Sequence, residues 1–299
     1  MDTSKIPGQQ HHTVAVRHVG LLSLVAVSIC CLVSCNKTQT SGPTGPTPAS
    51  NTIAQPTNNN ANSIDKGDLK LRYQPRKQVS ATTEAHSVGS NPEAIQQIIA
   101  NLNDRVALPW DIVVSFEDCE APDAFYDSST HQLTMCYQLI DDYYDLFGMK
   151  IKDKAKLDDA VRGAVAATFF HELGHGLIDA WKLPVTGREE DAVDQLSTLV
   201  LMNHTDRGEE LALAGASSFK LYADLEKYHK KILWDEHSLD EQRFYDTICL
   251  IYGRNPEKYE YLVKNNTLPE ERAELCREDY PKISSSWQKL LAPYIKHKS

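Results

Sequence analysis

The feature that most constrains this chain is a proline-free segment from Leu157 to Trp181, long enough for one helix of about seven turns. Apolar residues recur along it at the helical period and form a single stripe, which consists of Val165, Ala166, Phe169, Leu173, Leu177 and Ala180. Such a stripe must pack against other elements, so the segment predicts a central amphipathic helix. We expect this helix to end near Lys182, because Pro184 disfavours a helical Leu183.

The face opposite the stripe carries His171 and His175, four residues apart, with Glu172 beside the first. Residues four apart lie on one face of a helix, so both imidazoles can reach a single metal ion. In this H-E-x-x-H pattern the histidines bind Zn²⁺ and the glutamate acts as a general base. The alternative is a helix with two solvated or core histidines. Small residues on the histidine side leave room for a metal and a substrate; they are Ala164, Ala167 and Thr168.

A third zinc ligand is expected from the acidic run that follows this helix. Thr186 and Glu189 fit a capping box, so we expect a second helix to begin at Thr186 with Glu189 as its cap. Glu190 is then available to the metal. Asp194 lies one turn later on the same face, where it can accept a hydrogen bond from a ligating histidine. The alternative is a solvated helix start, where carboxylates favour the helix dipole.

Four stretches, in their order and spacing, resemble a bacterial metallopeptidase family once classified only as a domain of unknown function. They are FFHELGHGLID, LPVTGREEDAVDQL, DEHSLDEQRFYDTICLIYGRNPEKY and LPEERAELC. The resemblance extends from about Asp68 to Tyr280. It implies a zincin fold in which His171, His175 and Glu190 bind zinc and Glu172 is the base, acting on peptide or protein substrates.

The N-terminal residues predict export rather than a folded domain. Val19 to Ser34 is almost wholly apolar, too short for a membrane span of about 20 residues but suited to a signal peptide over residues 1–34. The run from Leu32 ends at Cys35 and resembles a bacterial lipobox, so Cys35 is the expected site of lipidation. The protein would then be anchored to a membrane of the bacterial cell envelope. An ordinary secretory signal and an uncleaved anchor helix are the alternatives.

Two further regions follow the expected signal peptide. Residues 35–66 are rich in Ser, Thr, Pro and Asn and nearly uncharged, which predicts a flexible tether. Residues 67–299 are the expected folded domain, in which strands precede helices, as in an α+β fold. We predict strands at 69–73 and 111–116, a helix at 92–103, a hairpin from 124–126 and 132–136, and mainly helices after Ile140.

One strand of the predicted hairpin is a candidate for contact with substrate. By resemblance to zincins, the strand around Leu133 to Cys136 is expected to form the edge of the sheet. An open edge can bind an extended peptide through backbone hydrogen bonds. An ordinary covered hairpin is the alternative.

Four cysteines fall in the expected folded domain: Cys119, Cys136, Cys249 and Cys276. Export makes disulfides permissible, and four cysteines allow three pairings. We favour Cys119–Cys136 and Cys249–Cys276, because each pair brackets one local unit. A cysteine metal site lacks the close spacing it needs, and a catalytic thiol is the remaining alternative.

The charge of the chain argues against nucleic acid as a partner. It has 31 basic and 41 acidic residues, a net charge of -10, and no basic patch with interleaved aromatic residues. Acidity of this kind mainly supports solubility.

A second donor to the reacting carbonyl is expected beside zinc. His237 is the first candidate, because the neighbouring Asp235 and Glu236 can keep it protonated, whereas Tyr245 and Tyr252 are alternatives. His237 can equally be a surface histidine in an acidic loop. The sequence thus predicts a lipid-anchored zinc metallopeptidase. A hydrolase acting on a non-peptide amide and a non-catalytic zinc-binding or sensory lipoprotein are its rivals, and the intact Glu172 favours an enzyme.

Overall fold

The structure, a computed structural model, describes residues 60–74, 76–77, 92–204, 207–226, 231 and 233–296. The chain divides into two compact units, Met1–Ile53 and Ala54–Ser299, and every described residue belongs to the second. The predicted signal peptide, Cys35 and most of the predicted tether lie outside the described residues.

The described strands form one mixed sheet. They are β1 (Leu69–Tyr73), β2 (Ile112–Glu117), β3 (Ala124–Asp127) and β4 (Gln132–Cys136). Their order in the sheet is β1-β2-β4-β3, with β1, β2 and β4 parallel and β3 antiparallel to β4. The predicted strands and the hairpin are therefore present.

The prediction that the strand around Leu133 to Cys136 forms the edge is wrong. This strand is β4, and it pairs with β2 on one side and with β3 on the other. Leu133 and Met135 are fully buried, which suits an internal strand. The edge on this side of the sheet is β3 instead.

Helices make up most of the described chain after the sheet. The helices are α1 (Asn60–Ile64), α2 (Pro92–Asn103), α3 (Tyr137–Gly148), α4 (Lys154–Trp181), α5 (Glu189–His204), α6 (Gly208–Glu226), α7 (Asp240–Arg254), α8 (Glu260–Lys264) and α9 (Glu270–Leu291). A 3₁₀ turn, Ala292–Tyr294, follows α9. The fold is thus α+β, as predicted. Within the described part of the chain, no helix combines the length and apolarity that crossing a membrane requires.

The central helix α4 ends where the sequence predicts and begins at Lys154, three residues before the segment singled out above. At its start the Asp153 side chain accepts a hydrogen bond from the backbone N–H of Lys156. At its end Lys182 adopts a left-handed conformation, with φ of 49°, and stops the helix one residue after Trp181. The predicted stripe is buried except for Ala166, which is partly buried. The helix packs against α3, α5, α6 and β3.

Two glycines of α4 let neighbouring elements approach the histidines closely. A Cβ at Gly174 would lie 2.9 Å from Cγ1 of Val193, so α5 can pack against α4 only because this side chain is missing. A Cβ at Gly176 would lie 3.2 Å from the ring of Tyr126 on β3. The sheet edge and α5 are thereby both brought near His171 and His175.

Described residues before the predicted boundary at residue 67 contact the rest of the domain. Residues 60–64 form α1, where Ala61 is buried. The backbone N–H groups of Lys66 and Gly67 both donate to the carbonyl of Leu108, at 2.8 and 3.0 Å. Asp65 forms an ion pair of 2.7 Å with Lys296 near the C-terminus. These contacts stabilise the last part of the predicted tether against the domain.

Both favoured disulfides are present. Cys119–Cys136 joins the loop after β2 to the end of β4, and Cys249–Cys276 joins α7 to α9.

Candidate metal centre

Three imidazoles and one carboxylate converge at the start of α5. Glu190 Oε2 lies 3.0 Å from His171 Nε2 and 2.9 Å from His237 Nε2. The second oxygen, Oε1, lies 3.4 Å from His175 Nε2. Helix α4 contributes two of the histidines, α5 the glutamate, and the loop before α7 the third histidine. The structure thus brings together all four side chains that the sequence singled out as metal ligands or oxyanion donor.

The start of α5 differs from the prediction. The helix begins at Glu189, and Thr186 lies in a bend before it, so the predicted capping box does not form. The carboxylate of Glu189 accepts a hydrogen bond of 2.8 Å from Nδ1 of His175 instead. Glu189 thus contacts the neighbouring helix α4 instead of capping its own helix. Both glutamates of the first turn therefore face the histidines.

Asp194 holds the ring of His171 in place. Its Oδ1 lies 2.8 Å from His171 Nδ1. Arg243 on α7 donates two hydrogen bonds to the same carboxylate, at 2.7 and 2.9 Å. Burial alone would raise the pKa of Asp194, but the hydrogen bonds from Arg243 and His171 outweigh it and bring the pKa to about 2. A carboxylate only accepts, so Nδ1 of His171 donates to Asp194, which leaves Nε2 as the ring atom available to a metal ion.

The other two histidines follow the same pattern. His175 Nδ1 donates to Glu189, which directs Nε2 towards Glu190. Nδ1 of His237 lies 3.3 Å from Oδ1 of Asp235. The backbone N–H of His237 donates to the same oxygen at 2.9 Å. All three rings therefore have a carboxylate on the side away from the centre.

Sequence reasoning did not identify Arg243 or the role of Glu189. Arg243 is 49 residues from Asp194 along the chain, and no local spacing relates the two. Its guanidinium also lies 4.0 Å from the ring centroid of Phe219 on α6, which fixes its orientation. The one available signal was its place within the stretch DEHSLDEQRF.

The electrostatics of the centre favour positive charge between the side chains. Burial lowers the pKa of His171, but hydrogen bonds to Asp194 and Glu190 outweigh burial and raise the pKa to about 9. Burial raises the pKa of Glu190, yet hydrogen bonds from the three imidazoles hold it far below its usual value. Burial also raises the pKa of Glu172, with the nearby histidines opposing.

The donor atoms fit a transition-metal ion. Zn²⁺ binds nitrogen and oxygen at about 2.0–2.2 Å, so two ligands of a tetrahedral ion lie about 3.3 Å apart. Two distances are close to this value: 3.0 Å from Glu190 Oε2 to His171 and 3.4 Å from the other oxygen, Oε1, to His175. Among the described residues, the donor atoms that all lie within 4.8 Å of one another are those of His171, Glu190 and His237, so the most compact group contains His237 in place of His175. Imidazole nitrogen with one carboxylate oxygen is a donor set that zinc accepts.

Two cavities open beside the centre. One, of about 900 Å³, lies between the histidines and the edge strand β3. The other, of about 410 Å³, extends from His171 and Glu172 between helices α3 to α7. Glu172 lines both cavities. Tyr245 and Tyr252, the alternative donors, line neither, and Tyr252 accepts a hydrogen bond from Arg277 instead.

The edge strand β3 directs backbone groups towards the larger cavity. Cys136 N–H donates to the carbonyl of Asp123 at 3.1 Å, which marks these two residues as a hydrogen-bonded pair. Hydrogen-bonded and non-hydrogen-bonded pairs alternate along an antiparallel ladder. The backbone groups of Phe125 therefore bond to β4, whereas the N–H and C=O groups of Ala124 and Tyr126 point away from β4. The Asp123 carboxylate accepts from the Ala124 N–H at 2.9 Å.

Comparison with known proteins agrees with this geometry. Neither curated proteins nor solved structures gave a match. A family model named DUF4344, with the description "Putative metallopeptidase", matches residues 73–291, which is more than half of the 299 residues. The matched range contains α4, α5 and all the side chains of the centre. The resemblance seen in the sequence is thereby confirmed, and the chain belongs to this metallopeptidase family.

Proposed function

We propose that the protein is a zinc-dependent metallopeptidase whose ion is held by His171, His175 and Glu190. Family membership supports the peptidase class. The choice of ligands rests on the spacing of His171 and His175 one helical turn apart and on Glu190, whose Oε2 lies 3.0 Å from His171 and whose Oε1 lies 3.4 Å from His175. When bound, zinc supplies Lewis acidity to water and to a peptide carbonyl.

Glu172 is the proposed general base. It is buried beside the histidines, and burial raises its pKa, which suits a group that must both accept and release a proton. Its carboxylate takes a proton from water as the oxygen–carbon bond forms. The same proton then passes to the leaving amine as the peptide C–N bond breaks.

His237 is the proposed donor to the oxyanion. Asp235 accepts from its Nδ1 and from its backbone N–H, which orients the ring with Nε2 towards the centre. A hydrogen on Nε2 would then stabilise the negative charge that develops on the carbonyl oxygen.

The proposed substrate is an extended peptide that pairs with β3. The outward N–H and C=O groups of Ala124 and Tyr126 face the larger cavity, so a peptide can add to the sheet as a further strand. The Ala124 N–H donates to the Asp123 carboxylate at 2.9 Å. A substrate carbonyl would take the place of this carboxylate as the acceptor.

Replacement of the base tests this function directly. Purified protein should bind about one zinc per chain and cleave members of a peptide library in a chelator-sensitive manner. Glu172→Gln should keep the metal and lower kcat by about 10²–10⁴-fold, because only proton transfer is lost. Library cleavage read by mass spectrometry and metal analysis give the two measurements. Equal cleavage by parent and variant would refute the assignment of the base.

Lipid anchoring through Cys35 is also proposed. Its support is the lipobox-like run that ends at Cys35 after an apolar segment. Cys35→Ser should move the full-length protein from the membrane fraction to the soluble fraction of the cell envelope. Continued sedimentation of the variant with membranes would show that lipidation does not anchor the chain.

A further inference from the structure

The smaller cavity beside the centre is a candidate pocket for a substrate side chain. It begins at His171 and Glu172 and has a volume of about 410 Å³. Small residues of α4 and α6 line part of it, namely Ala164, Ala167, Gly215 and Ala216. Their small size lets the two helices pack closely, since a Cβ at Gly215 would lie 2.6 Å from Cβ of Ala167, and leaves an apolar wall beside the cavity.

Polar groups line the remainder of the pocket. Tyr222 on α6 donates a short hydrogen bond to the Oδ2 atom of Asp142 on α3. The hydroxyls of Tyr143 and Thr168 are hydrogen-bonded to each other at 2.7 Å. The rings of Tyr143 and Tyr222 lie 6.4 Å apart, so these groups form one polar cluster.

The charge of the pocket is negative. The carboxylates that line it are Asp123, Asp142, Glu172, Asp194 and Asp240. Among the residues lining it, Arg243 is the one with a permanent positive charge, and its two hydrogen bonds go to Asp194. Asp240 lies 3.9 Å from the same guanidinium.

Asp194 and Asp240 lie beside Arg243, whereas Asp142, like Asp123 and Glu172, has no ion pair among the described residues. Asp142 accepts from a neutral hydroxyl, and within the described part of the chain no Lys, Arg or His nitrogen lies within 4.0 Å of it. A carboxylate oxygen can accept more than one hydrogen bond. Asp142 can therefore keep Tyr222 as a donor and still receive a cationic group.

From these observations we infer that the cavity is a specificity pocket for a lysine or arginine side chain next to the scissile bond. The aliphatic part of such a side chain would contact the small residues, and its charged end would meet Asp142. This inference rests on the proposed peptidase function and names its preferred substrates: peptides with a basic residue beside the cleaved bond.

Binding without turnover tests the pocket. The probes are two fluorescein-labelled peptides, Ala-Ala-Ala-Lys-Ala-Ala and its twin with norleucine in place of lysine. Fluorescence anisotropy measures their affinity for zinc-loaded Glu172→Gln protein. The lysine peptide should bind about tenfold more tightly, as expected for one charge-assisted hydrogen bond. Equal affinity, or no detectable binding of either peptide, would overturn the inference.

Three further variants assign the preference to one carboxylate. Asp142→Asn, added to Glu172→Gln, keeps an oxygen that can accept from Tyr222 but removes the charge, so the lysine preference should fall to about threefold or less. Tyr222→Phe keeps the charge and should keep the preference. Asp145→Asn is the matched control, because Asp145 is an exposed aspartate on the same helix and does not line the pocket. An unchanged preference in the Asp142→Asn variant would exclude Asp142 as the recognition group.

The two proposals can fail separately. A parent enzyme that cleaves the library without a basic preference, with equal binding of both peptides, would retain the peptidase function and exclude the pocket. A lysine preference in binding without any chelator-sensitive cleavage by the parent would retain the pocket and exclude the peptidase.

Discussion

Each ring that faces the centre is oriented by a carboxylate on its far side. Asp194, Glu189 and Asp235 lie against the Nδ1 atoms of the three histidines. Each ring therefore presents Nε2 to Glu190 without any rearrangement. Contacts within the protein thus orient the rings of the proposed ligands His171 and His175 and of the proposed donor His237, so binding of an ion requires little further ordering.

The contact between Glu189 and His175 yields a prediction about zinc affinity. Glu189→Ala removes the acceptor of the Nδ1 hydrogen, so the ring of His175 loses its fixed orientation. We expect zinc affinity to fall about tenfold, the lower end of the usual effect, because this carboxylate is half exposed. Competition with a chromophoric chelator measures the change.

Glu189→Gln is the control for this prediction. Its amide oxygen can still accept from Nδ1, so zinc affinity should stay within about threefold of the parent. If Glu189→Ala binds zinc as tightly as the parent, the contact has no part in orienting the ligand.

The residues of the centre show how far local patterns reach. The common face of His171 and His175 could be predicted, with Glu172 beside the first, because it depends only on spacing along one helix. Glu189 was given the wrong role, because the capping pattern is local whereas the start of α5 depends on a contact with α4. Arg243 could not be predicted, since only the packing of α7 against α5 brings it to Asp194.

The approach of α4 and α5 is the element-scale condition for the centre. Glu190 and Asp194 reach His171 only if the two helices pack closely, and Gly174 faces buried Val193 at their contact. A methyl group there would have to displace Val193 or move α5 away from α4. Either change would move Glu190 relative to the histidines.

Gly174→Ala should therefore affect both stability and metal binding. We expect the free energy of unfolding to fall by about 1–3 kcal/mol, the usual effect of overpacking, and zinc affinity to fall as well. Urea denaturation and chelator competition measure the two effects. A Cβ at Gly148, near the end of α3, would meet no atom within 4 Å, so Gly148→Ala is the matched control and should not be destabilising. Parent-like behaviour of Gly174→Ala in both measurements would contradict the close contact.

In the sheet, the sequence predicts where the strands lie but not the order in which they pair. Every predicted strand is present, yet the predicted edge was wrong. The hairpin is specified by adjacent sequence, whereas pairing of β4 with β2 joins segments separated by the β3 hairpin arm. The pattern of apolar and polar side chains in β4 does not show whether a neighbouring strand pairs with each of its two edges. The order of strands depends on long-range packing of the sheet.

At the scale of the whole molecule, ion pairs tie the C-terminal helices to the core. Glu209, in the first turn of α6, has its carboxylate 2.7 Å from Lys258 Nζ and 3.2 Å from Arg254 Nε. The hydroxyl of Tyr259 donates to the same carboxylate at 3.0 Å. The side chain is 15% exposed, so solvent screens these contacts less than those of a surface pair. A single carboxylate thus joins α6 to the end of α7 and the turn after it.

The pKa of Glu209 gives this junction a defined pH dependence. Burial raises the pKa, but hydrogen bonds from Lys258 and Tyr259 outweigh burial and leave it below the usual value. The folded protein therefore binds this proton less readily than the unfolded chain. The stabilisation is complete above the unfolded pKa of about 4.3 and is lost as the pH falls through the lower, folded value.

Glu209→Gln should accordingly lower the free energy of unfolding by about 1 kcal/mol at pH 7, and this difference should shrink as the pH falls below about 4. Urea denaturation of parent and variant over a pH series measures it. Glu260→Gln is the control, because Glu260 is 59% exposed and pairs with Lys264 one turn away on the same helix, so its effect should stay below about 0.5 kcal/mol. A difference for Glu209→Gln that persists unchanged at pH 3 would mean that packing, rather than charge, links these helices.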